Sequence, residues 1–282
     1  MDTMNMTKHW KRFFILFILV ICVWLLPRVA LNFFYYPDNH FYGYRPDIFE
    51  RVDFTAKDGT HLTGWFIPST QSNPHDAIAT VIHAHGNAGN MTAHWPLVSW
   101  LPDRDFNLFM FDYRGYGDSE GTPTPEGLCD DTDSAINYVR QREDVDPNRL
   151  VLLGQSLGGN NMIAAVGRGN RQGIKAIAID STFLSYSASA NDAVPGIGYL
   201  LHNDFSAERY IASLSPIPLL LLHGTDDHVI ATWHTEKLFD LASEPKQKII
   251  IPGGKHIDVF TSRHGDLYRD KLVEFYRSAL KP

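Results

Sequence analysis

The sequence RLVLLGQSLGGNNMIAAVGR, residues 149–168, decides the predicted fold. An apolar run at 150–153 leads into a Gly-x-Ser-x-Gly turn, and apolar residues then recur at helical spacing. A sharp strand-to-helix turn of this kind exposes a serine hydroxyl above a sheet, with glycines where the backbone passes closely. We therefore predict that Ser156 stands at the carboxyl end of a central strand. A glycine-rich turn that merely links a strand to a helix is the alternative.

Runs on both sides of this stretch predict a mostly parallel sheet with helices on both faces. Near-continuous apolar runs, which strands covered on both faces require, lie at 77–84, 108–112, 150–153, 175–179, 218–222 and 247–251. An antiparallel hairpin is expected from 48–56 and 60–67. Helical periodicity covers 126–142, 157–168, 233–242 and 264–280. The alternation predicts one α/β domain over 37–282, with a small lid inserted at about 181–215.

Composition narrows the possible functions. The chain has 282 residues, of which 44% are hydrophobic and 20% charged, as is usual for a globular protein. Its net charge of −7, with no basic run beyond the first dozen residues, argues against a nucleic-acid partner. Cys22 and Cys129 provide no disulfide framework. His83 and His85 could face one metal from a strand, but no third ligand follows at a useful spacing, so we expect no metal and no other cofactor.

The amino terminus contains fourteen consecutive apolar residues, FFILFILVICVWLL at 13–26. As a helix this run would span about 21 Å, less than a hydrocarbon core of about 30 Å, so a cleaved signal peptide is one alternative. A buried helix of a soluble domain is another. Cleavage after Ala30 would need a small residue two positions before it, where the chain has Arg28. We therefore predict an uncleaved membrane anchor within 1–36, with an interfacial aromatic belt at 33–36.

The charged residues on either side of this run predict the orientation of the anchor in the membrane. Lys8, Lys11 and Arg12 precede it, whereas only Arg28 follows it closely. The excess of positive charge before the run favours a cytoplasmic amino terminus and a body on the other side of the membrane. In a bacterium the body would then face the periplasm, attached to the inner membrane.

A serine nucleophile requires a histidine base that is itself oriented by a carboxylate. Both should follow later strands, because active groups gather at the carboxyl ends of a parallel sheet. The run at 218–222 leads into HGTDDHVI, and the run at 247–251 leads into GGKH. We predict Asp227 as the acid and His256 as the base, with Asp226 and Asp180 as alternative acids. His223 is expected to brace the turn that presents the acid.

An oxyanion formed at the serine would need two donors. The first is expected to be the backbone N–H of Leu157, directly after Ser156. The second should lie in the loop that follows the run at 77–84, where Asn87 is the favoured donor. A simple glycine turn would be compatible with the same residues.

Six motifs in sequence order resemble one known family. They are HAHGNAGN at 83–90, FDYRGYGDSEG at 111–121, GQSLGG at 154–159, IDSTF at 179–183, HGTDDHVI at 223–230 and GGKHID at 253–258. Together they are similar to the signatures of serine esterases of the α/β-hydrolase superfamily, in the membrane-anchored group that includes alpha/beta hydrolase domain-containing proteins. The short amino-terminal apolar run is also similar to that group.

The resemblance implies an α/β-hydrolase fold with Ser156 as nucleophile, Asp227 as acid and His256 as base. It also implies Asn87 and Leu157 as the oxyanion donors. Asp112, Arg114 and Asp180 belong to the same motifs, and we interpret them as structural.

The expected function is hydrolysis of a carboxylic ester or thioester through an acyl-enzyme intermediate. The partner would be a small-molecule or acyl-chain ester, with the membrane contacted through the anchor. Two alternatives stay open: a serine peptidase, and a non-catalytic protein that uses a hydrolase fold for binding at the membrane surface.

Overall fold

A computed structural model describes residues 10, 12–14, 16–17 and 34–281. Most of the predicted anchor at 13–26 lies outside these residues, so the anchor stays a prediction. Within the described part of the chain, no helix is both long and apolar enough to cross a membrane.

Ten strands form the sheets of the body. In chain order they are β1 (Tyr36–Pro37), β2 (Glu50–Thr55), β3 (His61–Ile67), β4 (Ala79–Ala84), β5 (Ala88–Gly89), β6 (Phe106–Phe111), β7 (Leu150–Gln155), β8 (Ile174–Asp180), β9 (Leu219–Gly224) and β10 (Lys246–Ile251). Eight of them make one sheet in the order β10-β9-β8-β7-β4-β6-β3-β2. The β2–β3 and β3–β6 pairs are antiparallel and the other pairs are parallel. The predicted hairpin and parallel sheet are confirmed.

Burial explains why the central strands are continuous apolar runs. Every residue of β4, β6, β7 and β9 is buried, as strands covered on both faces must be. At the sheet edge, β10 begins with the partly exposed Lys246, Gln247 and Lys248. Charged residues on an edge strand discourage pairing with another chain.

Within residues 34–281, seven α-helices surround the sheet or belong to the lid. They are α1 (Met91–Val98), α2 (Pro125–Arg140), α3 (Leu157–Gly167), α4 (Tyr186–Ala193), α5 (Ala207–Tyr210), α6 (Trp233–Leu241) and α7 (Leu267–Ala279). Buried residues of α2 and α3 pack on one face, and those of α1 and α7 pack on the other. The four predicted helices are present. The last begins three residues later than expected, after a 3-10 turn at Ser262–His264.

The lid and the start of the body meet over one end of the sheet. The predicted insertion at 181–215 contains α4, α5 and the short 3-10 helices Ile197–Leu200 and Ile211–Leu214. Tyr35 is buried in the body, and its hydroxyl donates to that of Tyr186 at 3.2 Å. The ring of Phe34 packs edge-on against Tyr186. Phe34 and Tyr35 therefore lie within the folded body and not in the interfacial belt expected at 33–36.

Candidate active site

Ser156 occupies a strained turn between β7 and α3. Its φ of 52° and ψ of −118° fall in a region that non-glycine residues rarely adopt. Its N–H donates to the carbonyl of Asp180 at 2.8 Å, which ties the turn to the neighbouring strand. A Cβ on Gly158 would lie 2.0 Å from the carbonyl oxygen of Ala84, so only glycine fits there. The close approach of β4 and α3 holds the serine in this conformation.

A continuous chain of hydrogen-bond contacts joins three of the predicted residues. His256 Nε2 lies 3.0 Å from Ser156 Oγ, and His256 Nδ1 lies 2.7 Å from Asp227 Oδ2. The carboxylate of Asp227 is fully buried, whereas the His256 side chain is partly exposed. The structure therefore brings together groups that follow β7, β9 and β10 at the carboxyl edge of the sheet. In this arrangement His256 can accept the hydroxyl proton while Asp227 fixes its orientation.

Asp227 is held by contacts that favour its charged form. Its Oδ1 atom accepts the N–H groups of Val229 at 2.8 Å and Ile230 at 2.9 Å. Burial alone would raise the pKa of Asp227, but hydrogen bonds from His223 and His256 and the Ile230 N–H hold that pKa well below its usual range. The structure places His223 as expected, with Nε2 3.2 Å from Asp227 Oδ2.

The two alternative acids lie elsewhere. Asp226 is exposed. Asp180 is buried, and its carboxylate accepts hydrogen bonds from Gln155 at 3.1 Å and Ser181 at 2.9 Å. Burial raises the pKa of Asp180 to about 6. In the described part of the chain, neither carboxylate forms a hydrogen bond with His256, which is bonded to Asp227.

Asn87 and Leu157 both line the cavity that contains Ser156. Leu157 is the first residue of α3, so its N–H has no intrahelical acceptor. The Asn87 side chain fixes its own loop, because its Nδ2 donates to the carbonyl of Phe34. Its Oδ1 accepts from the N–H of Tyr36 at 3.3 Å and from the hydroxyl of Tyr116 at 2.9 Å. The Asn87 side chain is thus engaged, and the backbone N–H is the group available as a donor.

Two buried histidines beside this loop were not predicted as part of the site. His94 lines the cavity, and its Nε2 lies 3.0 Å from the carbonyl oxygen of Ala88. Burial holds the pKa of His94 well below its usual range, so the ring is neutral. It stacks on His85, whose Nε2 lies 3.3 Å from Asp112 Oδ1. His94 lies in α1, a helix that the sequence periodicity does not predict. The sequence therefore gives no indication that His94 borders the cavity.

Asp112 and Arg114 hold loops, in agreement with their structural interpretation. Asp112 Oδ1 accepts the N–H of Met91 at 2.6 Å, at the start of α1. Arg114 bridges the buried Asp131 at 2.7 Å and Asp58 at 2.8 Å. Within the part of the chain that the structure describes, no cluster of His, Cys, Asp or Glu side chains could hold a metal ion.

A cavity of about 750 Å³ opens above Ser156 and His256. This volume is typical of small-molecule sites. Most of its wall is apolar, and the lid supplies one side of it through Ala190, Ala193, Val194, Ile197 and Leu201. The body supplies Phe34, Val229 and Ile230 among others. A hydroxyl, an imidazole and a largely apolar wall therefore share one space.

The sheet order, with the sharp turn after β7 and the later groups after β9 and β10, defines an α/β hydrolase. The sequence profile of the family described as alpha/beta hydrolase fold matches residues 79–210. YfhR of Escherichia coli is 63% identical over 272 residues, which cover 96% of each chain. The alpha/beta hydrolase domain-containing protein WAV2 of Arabidopsis thaliana is 28% identical over 247 residues, 81% of this chain and 78% of WAV2.

A solved structure gives the same result for the fold. An esterase from Pyrococcus furiosus superposes with a TM-score of 0.71 at 18% identity, covering 88% of this chain and 99% of the esterase. The chain belongs to the alpha/beta hydrolase family and, within it, is related to the YfhR proteins. The predicted α/β-hydrolase fold and the resemblance to alpha/beta hydrolase domain-containing proteins are confirmed.

Proposed function

We propose that the chain is a serine hydrolase that cleaves carboxylic esters or thioesters through an acyl-enzyme. The observation that carries this proposal is the contact of Ser156 Oγ with His256 Nε2 at 3.0 Å, inside a largely apolar cavity. A serine hydroxyl is a weak nucleophile, and an adjacent base oriented by a carboxylate is what activates it. The esterase with the same fold supports the substrate class by analogy.

In the proposed reaction His256 Nε2 removes the proton from Ser156 as Oγ attacks the substrate carbonyl carbon. The backbone N–H groups of Leu157 and Asn87 would stabilise the oxyanion of the tetrahedral intermediate. His256 then returns the proton to the leaving alcohol or thiol as the bond from carbon to oxygen or sulfur breaks. Water, deprotonated by His256, attacks the acyl carbon, and His256 returns that proton to Ser156 Oγ as the bond from the acyl carbon to Oγ breaks and the acid is released.

The cavity wall indicates the kind of substrate. Its largely apolar surface would remove an acyl chain from water, and each buried methylene contributes about 0.8 kcal/mol. We therefore propose an ester or thioester with an acyl chain, presented by a small molecule, a lipid or a protein.

Labelling with a fluorophosphonate probe tests the proposal on the full-length protein in detergent. Wild type should be labelled, whereas Ser156→Ala should not, and His256→Ala should react far more slowly. Ser189→Ala is the matched control, because Ser189 lines the same cavity without a place in the hydrogen-bonded chain. Labelling that persists in Ser156→Ala would overturn the assignment of the nucleophile.

Turnover of p-nitrophenyl esters with two to sixteen carbons then tests the reaction class. Hydrolysis that depends on Ser156 supports the proposal. Cleavage of peptide p-nitroanilides without ester cleavage would favour a peptidase. A folded protein that neither labels nor turns over any ester would favour a non-catalytic binding protein.

We also propose that the apolar run at 13–26 anchors the enzyme in a membrane, with its body on the non-cytoplasmic side. The apolar run at 13–26 and the basic residues before it support this proposal. In a bacterium the body would lie in the periplasm. Alkaline phosphatase fused to the carboxyl terminus should be active in whole cells, and a well-expressed but silent fusion would overturn the orientation.

A further inference from the structure

The mouth of the cavity is bordered by exposed apolar side chains. Tyr36, Val194 and Val229 line the cavity and are nevertheless 60%, 54% and 68% exposed. Tyr199 and Leu200 belong to the 3-10 helix that also contributes Ile197 to the cavity wall, and Tyr199 is 92% exposed. These side chains, here called the apolar rim, are Tyr36, Val194, Tyr199, Leu200 and Val229.

The lid part of this rim carries no charge. Residues 193–201 read AVPGIGYLL, without a charged side chain. Asp192, just before them, is engaged, because its Oδ2 accepts from Trp233 Nε1 at 3.1 Å and lies 2.9 Å from His234 Nε2. Grouped apolar side chains at a cavity mouth mark an interaction surface.

The amino-terminal sequence indicates what covers this surface. The apolar run ends at Leu26, and the described body resumes at Phe34, whose side chain is part of the cavity wall. Only seven residues lie between them, and seven residues span at most about 25 Å when fully extended. If the run lies in a bilayer, the cavity wall is therefore held close to the lipid surface.

We propose that the apolar rim rests in the surface of a lipid bilayer, so that the cavity opens toward the acyl chains. Tyrosine and aliphatic side chains are suited to this boundary, where a polar hydroxyl stays hydrated and the apolar part is buried. The net charge of −7 argues that burial of apolar side chains, and not attraction to anionic lipid, drives the contact. This inference rests on the proposed membrane anchor, but not on catalysis.

Nitroxide labels on the full-length protein in phosphatidylcholine vesicles test the contact directly. Tyr199→Cys and Val229→Cys are each labelled in a Cys22→Ser background, in which the remaining Cys129 is buried. Leu267→Cys is the matched control, because Leu267 is an apolar residue of α7 that is 55% exposed and outside the rim. Relaxation by oxygen reports contact with lipid, and relaxation by a nickel chelate reports contact with water.

The rim labels should be relaxed more by oxygen than by nickel, and the Leu267 label should show the reverse. Rim labels as accessible to nickel as Leu267 would overturn the inference. Rim labels shielded from both reagents would also overturn it, since a protein partner such as a second copy would then cover the surface. Because the labels report position without turnover, failure of the proposed hydrolysis is recognised separately.

A second variant gives a functional measurement. Tyr199→Asp leaves the cavity wall and the anchor unchanged but places a charge on the rim. Hydrolysis of a fluorogenic ester embedded in the vesicles should fall by about tenfold or more, while hydrolysis of soluble p-nitrophenyl acetate stays within about twofold of wild type. Equal loss on both substrates would contradict a role in reaching lipid.

Discussion

The Oδ2 atom of Asp227 lies 2.7 Å from the Nδ1 atom of His256, while Oδ1 of the same carboxylate accepts two backbone N–H groups. A carboxylate fixed at both oxygens cannot turn away from the imidazole. It therefore favours the tautomer that carries its proton on Nδ1 and leaves Nε2 free to accept from Ser156. The backbone of the turn at 227–230 thus determines the direction in which His256 can move a proton.

Replacement of this acid should remove activity without unfolding the protein. In Asp227→Asn the amide oxygen can still accept from Val229 and Ile230, but the imidazole loses its anionic partner. We expect kcat to fall by about 10⁴-fold with p-nitrophenyl acetate. Asp226→Asn, a change at the exposed neighbouring residue, should leave kcat nearly unchanged. A larger loss in Asp226→Asn than in Asp227→Asn would reverse the assignment of the acid.

Asn87→Ala tests the loop that would supply the second oxyanion donor. The change removes contacts to Phe34, Tyr36 and Tyr116, which should lower the free energy of unfolding by about 1–3 kcal/mol. Because the loop then loses its position, kcat should fall by about tenfold or more. Tyr116→Phe removes only one of these contacts and should show a smaller loss of both quantities. Unchanged kcat in Asn87→Ala would show that the side chain does not position the donor.

Gly158→Ala should destabilise the fold because the added methyl group has no space. The added Cβ would lie 2.0 Å from the Ala84 carbonyl oxygen, so β4 and α3 must separate. Overpacking of this kind costs about 1–3 kcal/mol or more, and here it also disturbs the turn at Ser156. Gly253→Ala is the control, since nothing lies within 4 Å of its added Cβ and only its φ of +68° opposes the change. Thermal unfolding compares the two, and a larger loss for Gly253→Ala would contradict this account.

The central sheet could be predicted from the sequence because most of its strands are buried on both faces. Runs such as 77–84 and 150–153 are almost entirely apolar. They are too short for typical helices, so strands buried on both faces are the structure that they predict. By contrast, α1 was not predicted, since its apolar residues lack helical periodicity and Pro96 lies inside it. The Asn90 side chain, which accepts from the N–H of Thr92, starts that helix. Capping by a single side chain is a weak signal in an isolated sequence.

Some residues of the candidate site could be predicted from the sequence and others could not. Ser156, Asp227 and His256 could be predicted because each follows an obvious strand. The roles of Phe34 and Tyr36 could not, because their contacts with Asn87 join residues about fifty positions apart. A membrane segment and a buried cavity wall are both apolar, so the sequence alone predicts these residues as part of the anchor.

Two buried groups near Ser156 should respond to pH in opposite directions. Burial lowers the pKa of His83 from 6.5 to about 3, so below pH 6.5 the unfolded chain binds a proton that the folded chain does not. Because of His83, the free energy of unfolding therefore decreases as pH falls below 6.5. Burial raises the pKa of Asp180 from 3.8 to about 6, so between these values the folded chain binds a proton that the unfolded chain does not. The contribution of Asp180 to the free energy of unfolding is therefore present at low pH and is lost as pH rises through 6.

Variants separate these contributions. Relative to wild type, His83→Gln should gain stability between pH 6.5 and 5, by up to about 1.4 kcal/mol per pH unit. Asp180→Asn should instead gain stability relative to wild type as pH rises from 4 to 6. Denaturant unfolding in detergent across this range provides both differences. Curves that stay parallel to that of wild type would show that these groups titrate alike in the folded and unfolded chains.

Ala193→Trp tests whether the cavity receives the acyl chain. Ala193 lines the cavity from an exposed position in α4, so the fold should tolerate a larger side chain that fills part of the space. In wild type, kcat/KM should rise with ester chain length, because each methylene buried in the cavity contributes about 0.8 kcal/mol. In Ala193→Trp the rise should stop at a shorter chain, while acetate ester turnover changes little. Ala193→Ser, which keeps the cavity open, should follow wild type. If Ala193→Trp and wild type showed the same profile from two to sixteen carbons, the acyl chain would have to bind outside this cavity.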